Sequence, residues 1–341
     1  MKHTNSKQHQ LTDVAKALLA GNKGLLAMDE SIPTCNKRFA KLGIPQTAEA
    51  RQAYRELIVT TPQLGAYISG AILYDETIRQ QASDGSSFIE LLKAAGIIPG
   101  IKVDMGTSDL AGFPDEKITD GLDGLRDRLT EYEGMGLRFA KWRAVISIND
   151  GIPTEECIKA NMHALARYAA LCQEMGMMPI IEPEVLMAGT HTLSKCFEVT
   201  ERVLKTLFYQ LYQYRIDLEG MLLKPNMVLP GEHSTHQNSV EEIADATVKC
   251  FLASVPAIVP GIAFLSGGQT SELASAHLNK MNMKYKAQIP WVLTFSFSRA
   301  IQAPALELWE GKKENVEAAQ QALCYRAKCN SEARKGEYVA M

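Results

Sequence analysis

The chain has 341 residues, of which 46% are hydrophobic and 22% are charged, with a formal net charge of −3 at pH 7. This composition is typical of a globular protein with a sizeable core, and the interspersed charges produce no long-range field that would attract a nucleic acid or an anionic membrane. The seven cysteines show no CxxC spacing, and no apolar run reaches the ~18 residues of a membrane helix, so we expect free thiols in a reducing compartment and no membrane span.

A short apolar run followed by a longer amphipathic segment recurs along the chain. Several of these runs are rich in Ile, Val and Leu without strict alternation, which is typical of strands buried on both faces of a sheet. The runs cover residues 24–29, 69–76, 97–104, 139–146, 178–186, 220–228, 258–268 and 291–299.

The segments between the runs have a helical period of apolar residues. Ser239 and Glu242 have the spacing of a capping box, and the other predicted helices cover 51–58, 88–95, 122–132, 158–175 and 197–212. Eight strands alternating with helices predict an α/β fold, namely a single (β/α)8 TIM barrel in one domain spanning 1–341. Its strands are expected within 24–299, after an N-terminal extension and before a C-terminal helix and tail at 300–341.

Polar residues cluster toward the C-terminal ends of the predicted strands, the face on which barrel enzymes have their active sites. Charges inside a barrel are unfavourable unless they are paired or used in chemistry. The pattern therefore predicts a functional site near Asp29, Asp75, Lys102, Lys141, Arg143, Glu182, Glu184, Lys224, Ser266, Gly267, Ser296 and Arg299.

Lys224 is the sharpest candidate because it lies in the apolar run 220–228. An ordinary lysine has a pKa of about 10.4, so a neutral amine at pH 7 requires desolvation and a neighbouring cation to lower that pKa by roughly 3–4 units. Lys141 is the candidate cation. A neutral amine can form an imine with a ketone, and the imine accepts electrons when a carbon–carbon bond breaks. The alternative is that Lys224 only pairs with Glu182 or Glu184.

Three acids accompany this lysine. Glu182 and Glu184 point to the same side of their strand and suit the proton transfers of imine formation, although either could instead be a structural partner of Lys141 or Arg143. Asp29, at the end of the first strand, suits the removal of a hydroxyl proton, although alone it would more often cap a helix or lie in a loop.

Two loops have the features of phosphate sites. Residues 266–268 (SGG) allow backbone amides at a helix N-terminus to approach an anion, and residues 296–299 (SFSR) follow the neighbouring strand. Barrels often bind phosphate after strands seven and eight. A second phosphate could bind among Lys37, Arg38, Lys102 and Arg143, of which Lys37 is the most easily explained as solvated.

Other motifs are absent from the sequence. It contains no GxGxxG, GxxxxGK[ST] or HExxH, so these motifs give no support for a nucleotide-binding protein or a zinc protease. His233 and His236 are the only close histidine pair and lie in a polar loop without further ligands, so we interpret them as surface residues and expect no metal site.

With these residues in view, the chain resembles the class I fructose-bisphosphate aldolases over almost its entire length. The resemblance implies a metal-independent, cofactor-free (β/α)8 homotetramer that splits fructose 1,6-bisphosphate into dihydroxyacetone phosphate and glyceraldehyde 3-phosphate through a Schiff base, reversibly, in glycolysis and gluconeogenesis. Its partners would be small phosphorylated sugars, without nucleic acid or membrane. The matching stretches are 26–31 (LAMDES), 100–104 (GIKVD), 139–143 (FAKWR), 181–184 (IEPE), 222–227 (LLKPNM), 264–268 (FLSGG) and 311–315 (GKKEN).

The resemblance also implies roles for individual residues. Lys224 would be the Schiff-base nucleophile, Glu182 the general acid and base, and Asp29 the group acting on the C4 hydroxyl. Lys141 would tune Lys224 and contact substrate, and Glu184 would orient the network. Ser266, Gly267 and Arg299 would hold the one-phosphate, and Ser31, Arg38 and Lys102, with Arg143 nearby, would lie toward the six-phosphate. Gly268, Ser296 and Ser298 are further candidate phosphate-binding residues.

Two features set the chain apart from the animal members of this family. Ser298 stands where many members have a glycine before the loop arginine. The chain ends at 336–341 (GEYVAM), where Tyr338 does not match the terminal tyrosine that enters the animal site, so water or another side chain would exchange the C3 proton. This ending and residues 32–34 (IPT) resemble plant or bacterial members. We expect a cytoplasmic protein, or a plastid protein if a transit peptide has been removed.

Two alternatives belong to other classes. A transaldolase, deoxyribose-phosphate aldolase or keto-acid aldolase would also form an imine in a barrel, but it needs one anion site where this chain has residues for two. A non-enzymatic barrel scaffold would be expected to lack the lysine, an acid or a phosphate group, and the sequence retains all three. Sedoheptulose 1,7-bisphosphate is a second candidate substrate.

Overall fold

A closed barrel of eight parallel strands forms the centre of the molecule, with the first strand pairing with the last. The computed structural model describes the backbone of residues 2–339 and the side chains of residues 8–339. The strands are, in chain order, β1 (Gly24–Ala27), β2 (Ile68–Leu73), β3 (Ile98–Lys102), β4 (Thr107–Asp109), β5 (Lys117–Thr119), β6 (Phe139–Ile146), β7 (Met178–Val185), β8 (Leu222–Leu223), β9 (Gly261–Phe264) and β10 (Val292–Phe297). β4 and β5 form a separate antiparallel hairpin. The predicted (β/α)8 barrel is confirmed.

Several strands are shorter than the apolar runs that predicted them, because those runs include the turn after the strand. The run 258–268 contributes only Gly261–Phe264 to the sheet, and the following serine and glycines form the turn. β8 is the shortest strand of the barrel, and Pro225 just after it has no N–H to continue a ladder.

Helices alternate with the barrel strands as predicted, and the capping box of Ser239 and Glu242 is present at the start of its helix. The helices of the described residues are α1 (Lys2–Leu19), α2 (Ile32–Ala40), α3 (Ala48–Val59), α4 (Asp75–Ile78), α5 (Phe88–Ala94), α6 (Leu125–Gly134), α7 (Glu155–Met175), α8 (Leu193–Gln213), α9 (Val240–Leu252), α10 (Ser271–Tyr285), α11 (Arg299–Trp309) and α12 (Val316–Lys335). None of them is long and apolar enough to cross a bilayer.

The C-terminal segment differs from the prediction of one helix and a tail. It contains two helices, of which α11 directly follows the last strand and so completes the eighth strand–helix unit of the barrel. Within residues 300–339, α12 and the short segments on either side of it are the additions to the barrel.

The N-terminal extension forms α1, whose apolar side closes the N-terminal end of the barrel. Leu11, Ala15 and Leu18 are buried there against strand residues that include Phe139 and Met178. A Cβ on Gly261, at the start of β9, would lie 2.6 Å from Leu19, so the strand approaches α1 where its own side chain is missing. α1 thus closes the N-terminal end of the barrel, and the polar groups lie at the opposite, C-terminal end.

Candidate active site

A cavity of about 1020 Å³ opens at the C-terminal ends of the barrel strands. Every predicted site residue except Gly268 lines it: Asp29, Ser31, Arg38, Lys102, Lys141, Arg143, Glu182, Glu184, Lys224, Ser266, Gly267, Ser296, Ser298 and Arg299. Residues that are far apart in the chain therefore share one space, because parallel strands bring their C-terminal ends to the same side of the barrel.

Lys141 lies at the centre of the charged cluster and is only 3% exposed. Its Nζ is 2.7 Å from Asp29 Oδ2, 3.2 Å from Glu182 Oε2 and 3.8 Å from Asp104 Oδ2. Burial by itself would lower the pKa of this ammonium group, but Asp29 and Glu182 outweigh burial and hold the pKa well above its usual value. Lys141 therefore carries a positive charge that orients the surrounding carboxylates.

Lys224 follows β8 and is also 3% exposed. Its backbone N–H donates to the carbonyl of Ile181 at 2.8 Å, which fixes the start of the side chain beside β7. Its Nζ lies 3.2 Å from Glu182 Oε1. The carboxylate of Glu182 thus lies between the amines of Lys224 and Lys141, one oxygen facing each. The ion pair that the sequence left as an alternative is present, and its geometry also suits proton transfer between Lys224 and Glu182.

Asp29 is held as a carboxylate. Burial opposes ionisation, but Lys141 and Lys224 outweigh burial and keep the pKa of Asp29 well below its usual value. Its position directly after β1 gives it a place at the wall of the cavity as an ionised acceptor.

Glu184 has a different environment from the other two acids. Burial raises the pKa of its carboxyl, and Arg143, whose Nη1 lies 3.0 Å from Glu184 Oε2, offsets only part of that rise. Arg143 is an exposed residue, so this pair joins the buried cluster to the mouth of the cavity.

The loop after β9 turns at Gly267 and Gly268, whose φ angles of +61° and +98° favour glycine. A Cβ on Gly268 would lie 3.6 Å from Nη2 of Arg299, the first residue of α11. The Ser296 hydroxyl, on β10, is buried and has no hydrogen-bond partner among the described residues. The two loops thus bring amides, a hydroxyl and a guanidinium to one part of the cavity.

Gln269, at the end of this loop, and His277, in α10, hold the loop in place. Gln269 donates from its side-chain amide to the carbonyl of Ser266 at 2.9 Å, and its Oε1 lies 2.5 Å from Nδ1 of His277. Burial lowers the pKa of His277 to about 4, so the ring is neutral at pH 7. Neutral His277 can donate to Gln269, which then keeps its amide toward Ser266.

Lys102 and Ser31 lie on other parts of the cavity wall. Lys102 Nζ is 2.8 Å from Asp104 Oδ1 and donates to the backbone carbonyl of Asp104 at 2.7 Å. Ser31 Oγ lies 3.0 Å from Thr34 Oγ1, at the start of α2.

Arg38 lines the same cavity as Ser31 and Lys102, with which the sequence grouped it, and it also contacts the loop after the last strand. Its Nη1 is 2.5 Å from Glu30 Oε1, and its Nη2 donates to Ser298 Oγ at 3.3 Å. The reason is the order of the barrel: α2 follows β1, and β1 pairs with β10, which ends just before Ser298. Arg38 is therefore joined to the loop after the last strand.

Sequence reasoning missed four residues that complete these networks: Glu30, Arg55, Asp104 and Gln302. Asp104 contacts both Lys102 and Lys141, and accepts the backbone N–H of Arg143 at 3.2 Å. Asp104 could have been identified by the same sequence signal as Asp29, because both are charged residues at the end of an apolar run. Glu30 has that signal too, but its partners come from distant segments.

In the part of the chain whose side chains are described, histidine, cysteine and carboxylate side chains give no sign of a metal centre. Among residues 8–339, no group of three or more of them is arranged to hold a metal ion. His233 and His236 are exposed. All seven cysteines are free thiols.

Comparison with known proteins gives the family. Residues 10–341 match the glycolytic class-I fructose-bisphosphate aldolases. A probable fructose-bisphosphate aldolase class 1 of Xanthomonas axonopodis pv. citri (strain 306) is 54% identical over 330 residues, covering 96% of this chain and 98% of the relative. The cytosolic fructose-bisphosphate aldolase 4 of Arabidopsis thaliana is 49% identical over 327 residues, covering 95% of this chain and 83% of the relative.

A solved structure agrees with these sequence relatives. Fructose-bisphosphate aldolase from Plasmodium falciparum, in complex with TRAP and a small molecule inhibitor, superposes with a TM-score of 0.96 at 43% identity, covering 98% of this chain and 97% of that one. The bacterial and plant relatives confirm the predicted resemblance. The chain belongs to the family of class-I fructose-bisphosphate aldolases, and it is a lyase.

Proposed function

We propose that this aldolase reversibly cleaves fructose 1,6-bisphosphate into dihydroxyacetone phosphate and glyceraldehyde 3-phosphate through a Schiff base on Lys224. The observation that carries the proposal is the amine of Lys224 lying 3.2 Å from the Glu182 carboxylate, with both residues buried in one cavity. A glycine-containing loop and several cations in the same cavity support a substrate with two phosphates.

Imine formation begins with a proton passing from Nζ of Lys224 to Oε1 of Glu182. The freed lone pair attacks the C2 ketone, and Glu182 passes this proton, and then a second one from the same nitrogen, to the C2 oxygen, which leaves as water. The product is a protonated imine, which draws electrons from the sugar carbon chain. Lys141 positions this exchange because it holds the other oxygen of Glu182.

Bond cleavage needs a base at the C4 hydroxyl, and Asp29 has that role. Asp29 takes the hydroxyl proton, the electrons of the C3–C4 bond move into the imine, and glyceraldehyde 3-phosphate leaves an enamine on Lys224. A proton from water or from a side chain at the cavity then adds at C3. Water hydrolyses the imine and releases dihydroxyacetone phosphate. Glu184, paired with Arg143, orients the network from the cavity mouth.

The two phosphates bind to different parts of the wall. The one-phosphate binds to the loops after β9 and β10, where the unpartnered hydroxyl of Ser296 is available to donate. The contact of Arg38 with Ser298 adds Arg38 to this group. The one-phosphate residues are then Ser266, Gly267, Gly268, Ser296, Ser298, Arg299 and Arg38, and the six-phosphate residues are Ser31, Lys102 and Arg143.

Borohydride trapping tests the central step. Reduction in the presence of dihydroxyacetone phosphate should leave a stable adduct, which peptide mass mapping should place on Lys224. Lys224→Ala should form no adduct and should lose cleavage activity. An adduct on another lysine, or full activity in Lys224→Ala, would disprove the proposal.

Substrate comparison tests the second phosphate site. Fructose 1,6-bisphosphate should be cleaved with a much higher kcat/KM than fructose 1-phosphate, whereas an enzyme with one phosphate site would show little difference. Activity should also survive an excess of chelator, since no step above requires a metal.

We also propose that the chain acts as one domain in a cytoplasmic homotetramer. The relative named cytosolic supports the compartment, and the family resemblance supports the assembly. Light scattering on the purified protein tests the assembly: a mass of four chains is expected, and a monomer at micromolar concentration would contradict it.

A further inference from the structure

Glu30 is the centre of a second charged network beside the catalytic cluster. It follows Asp29 in the chain and is 8% exposed. Its Oε2 is 2.7 Å from Nη2 of Arg55, which is itself buried. Its Oε1 meets three donors: Arg38 Nη1 at 2.5 Å, Ser298 Oγ at 2.8 Å and Gln302 Nε2 at 3.0 Å. One carboxylate therefore joins α2, α3 and the start of α11.

The Ser298 hydroxyl lies between the members of this network. A hydroxyl has one proton to donate and two lone pairs that accept. The proton goes to Glu30, and the lone pairs face Nη2 of Arg38 at 3.3 Å and Nε2 of Gln302 at 3.3 Å. An alanine or glycine at this position would keep the chain path but remove all three contacts.

Arg38 has two possible partners. Its side chain is 22% exposed and lines the cavity with Ser298 and Arg299. Glu30 holds Nη1 of this guanidinium in the free protein, so a substrate phosphate that binds the same nitrogen competes with Glu30. Burial opposes ionisation of Glu30, but Arg55 and Arg38 outweigh it and hold the pKa of Glu30 at about 2, so the carboxylate stays charged throughout.

The release of Arg38 removes one donor from a buried carboxylate. An unsatisfied buried charge is strongly unfavourable, so release is easier when other donors remain on the same oxygen. Ser298 and Gln302 are those donors. Without the Ser298 hydroxyl, Glu30 would depend more on Arg38 and would hold it more tightly. Loss of the short bond from Ser298 to the Glu30 carboxylate, at 2.8 Å, outweighs loss of the longer contact between Arg38 Nη2 and Ser298 Oγ, at 3.3 Å.

We propose that Ser298 is a positioning residue that allows Arg38 to leave Glu30 for the substrate phosphate, because its hydroxyl continues to satisfy Glu30. This inference rests on the proposed function and adds a route by which residue 298 sets phosphate affinity. The hydroxyl of Ser298 acts here through Glu30 and Arg38, so the contact of Ser298 with the phosphate is left to its backbone amide, which alanine and glycine retain.

A double-mutant cycle on Ser298→Ala and Arg38→Ala tests this inference. In the presence of Arg38, Ser298→Ala should raise the KM for fructose 1,6-bisphosphate and the inhibition constant of inorganic phosphate about tenfold, with a smaller change in kcat. In the Arg38→Ala background the same substitution should change both constants by less than about twofold. Equal effects in the two backgrounds would overturn the proposal, as would an unchanged KM in the single variant.

Two controls separate this effect from loss of folding. Ser298→Gly removes the same hydroxyl and should give the same shift as Ser298→Ala, and a shift in only one of them would indicate a backbone effect and contradict the proposal. Ser254→Ala removes a serine hydroxyl that donates to the Cys250 carbonyl at the end of α9, and it should leave KM unchanged.

Borohydride trapping keeps this proposal separate from the proposed function. All the Ser298 variants should still form the adduct on Lys224 when dihydroxyacetone phosphate is saturating. Loss of the adduct in the parent protein would refute the Schiff base itself, whereas a normal adduct with an unchanged KM in Ser298→Ala would refute only the role of Ser298.

Discussion

Lys141 is the residue on which the charged cluster most depends. It contacts Asp29, Glu182 and Asp104, and it is nearly inaccessible to water. Because Glu182 and Asp104 are buried and Asp29 is largely so, solvent screens the mutual repulsion of these acids only weakly. One ammonium group thus offsets the charge of several carboxylates, and the arrangement of the catalytic acids depends on it.

Lys141→Met should lower the free energy of unfolding by about 3–5 kcal/mol at pH 7, because it leaves buried carboxylates without their cation. Lys141 lowers the pKa of Asp29 in the folded state, so the stability from this pair is present above the ordinary pKa of about 3.9 and is lost as the pH falls through the lower folded value. The gap between variant and parent should therefore narrow below about pH 4. Urea unfolding at several pH values measures this difference in the free energy of unfolding.

Lys205→Met is the matched control for Lys141→Met. Lys205 pairs with Glu201 at 2.7 Å on the surface of α8, and its loss should change stability by less than about 1 kcal/mol. Equal effects of the two substitutions would show that the buried cluster has no special dependence on its cation.

His277 makes stability depend on pH at the phosphate loop. Its folded pKa of about 4 lies below the value of about 6.5 for an unfolded histidine, so the unfolded chain binds more protons between these values. The free energy of unfolding should therefore fall by roughly 3 kcal/mol as the pH drops from about 6.5 to about 4. His277→Asn should remove this part of the pH dependence in thermal unfolding profiles. A parallel curve for variant and parent from pH 7 to 4 would contradict the assignment.

At the scale of secondary structure elements, α1 and the barrel strands are fitted to each other through glycines. Gly261 leaves room for Leu19, the last residue of α1. The fit is specific, because the three atoms nearest to a methyl group added at Gly261 all belong to Leu19. Adding a methyl group at position 261 while shortening the side chain at position 19 is therefore a direct test of how α1 closes the barrel.

Gly261→Ala should destabilise the protein by about 1–3 kcal/mol through overpacking, and Leu19→Ala by about 2–5 kcal/mol through a cavity. The double variant should lose at least about 1 kcal/mol less than the sum, because the new methyl group occupies space that Leu19 vacates. Denaturant unfolding of the four proteins gives the coupling. As a control, Gly134→Ala, at an open position in α6, should leave the free energy of unfolding nearly unchanged. If the losses from Gly261→Ala and Leu19→Ala were simply additive, the two positions would not be packed against each other.

The sequence predicted the strands well but not their ends. Parallel barrel strands are buried on both sides, so each leaves an apolar run that stands out from the amphipathic helices. Residues 266–268 and 298–299 continue such runs, although in the structure they leave the sheet to face the cavity. An active site needs polar residues at these points, and their pattern in the sequence does not show where the ladder stops.

At the scale of the whole molecule, the site could be predicted only where one residue carried its own signal. Lys224 and Glu182 are charges within apolar runs, which marks them without knowledge of their neighbours. The network of Glu30 depends instead on a contact between Arg38 and Ser298, which are 260 residues apart in the chain. Such a contact arises only when β10 closes against β1, so the single sequence did not reveal it.

The two ends of the chain are joined by a similar long-range contact. Arg334, near the end of α12, is 5% exposed and donates to the carbonyls of Leu19 and Lys23. Leu19 is the last residue of α1, where unpaired carbonyls and the helix dipole favour a cation. Burial lowers the pKa of Arg334 to about 10, which still leaves it charged at pH 7. The charge-assisted bonds therefore hold both terminal helices to the barrel.

Arg334→Ala should lower the free energy of unfolding by about 2–4 kcal/mol, since it leaves buried carbonyls without a charged donor. The substitution should also destabilise α1 and the end of α12 locally. Hydrogen exchange should speed up for the amides of α1 and of the last turns of α12, whereas α8, which packs between α7 and α9, should change only through global unfolding. Arg167→Ala, at an exposed position in α7, should stay within about 0.5 kcal/mol of the parent. If exchange in α1 were unchanged while stability fell, the contact would not be what holds the N-terminal helix against the barrel.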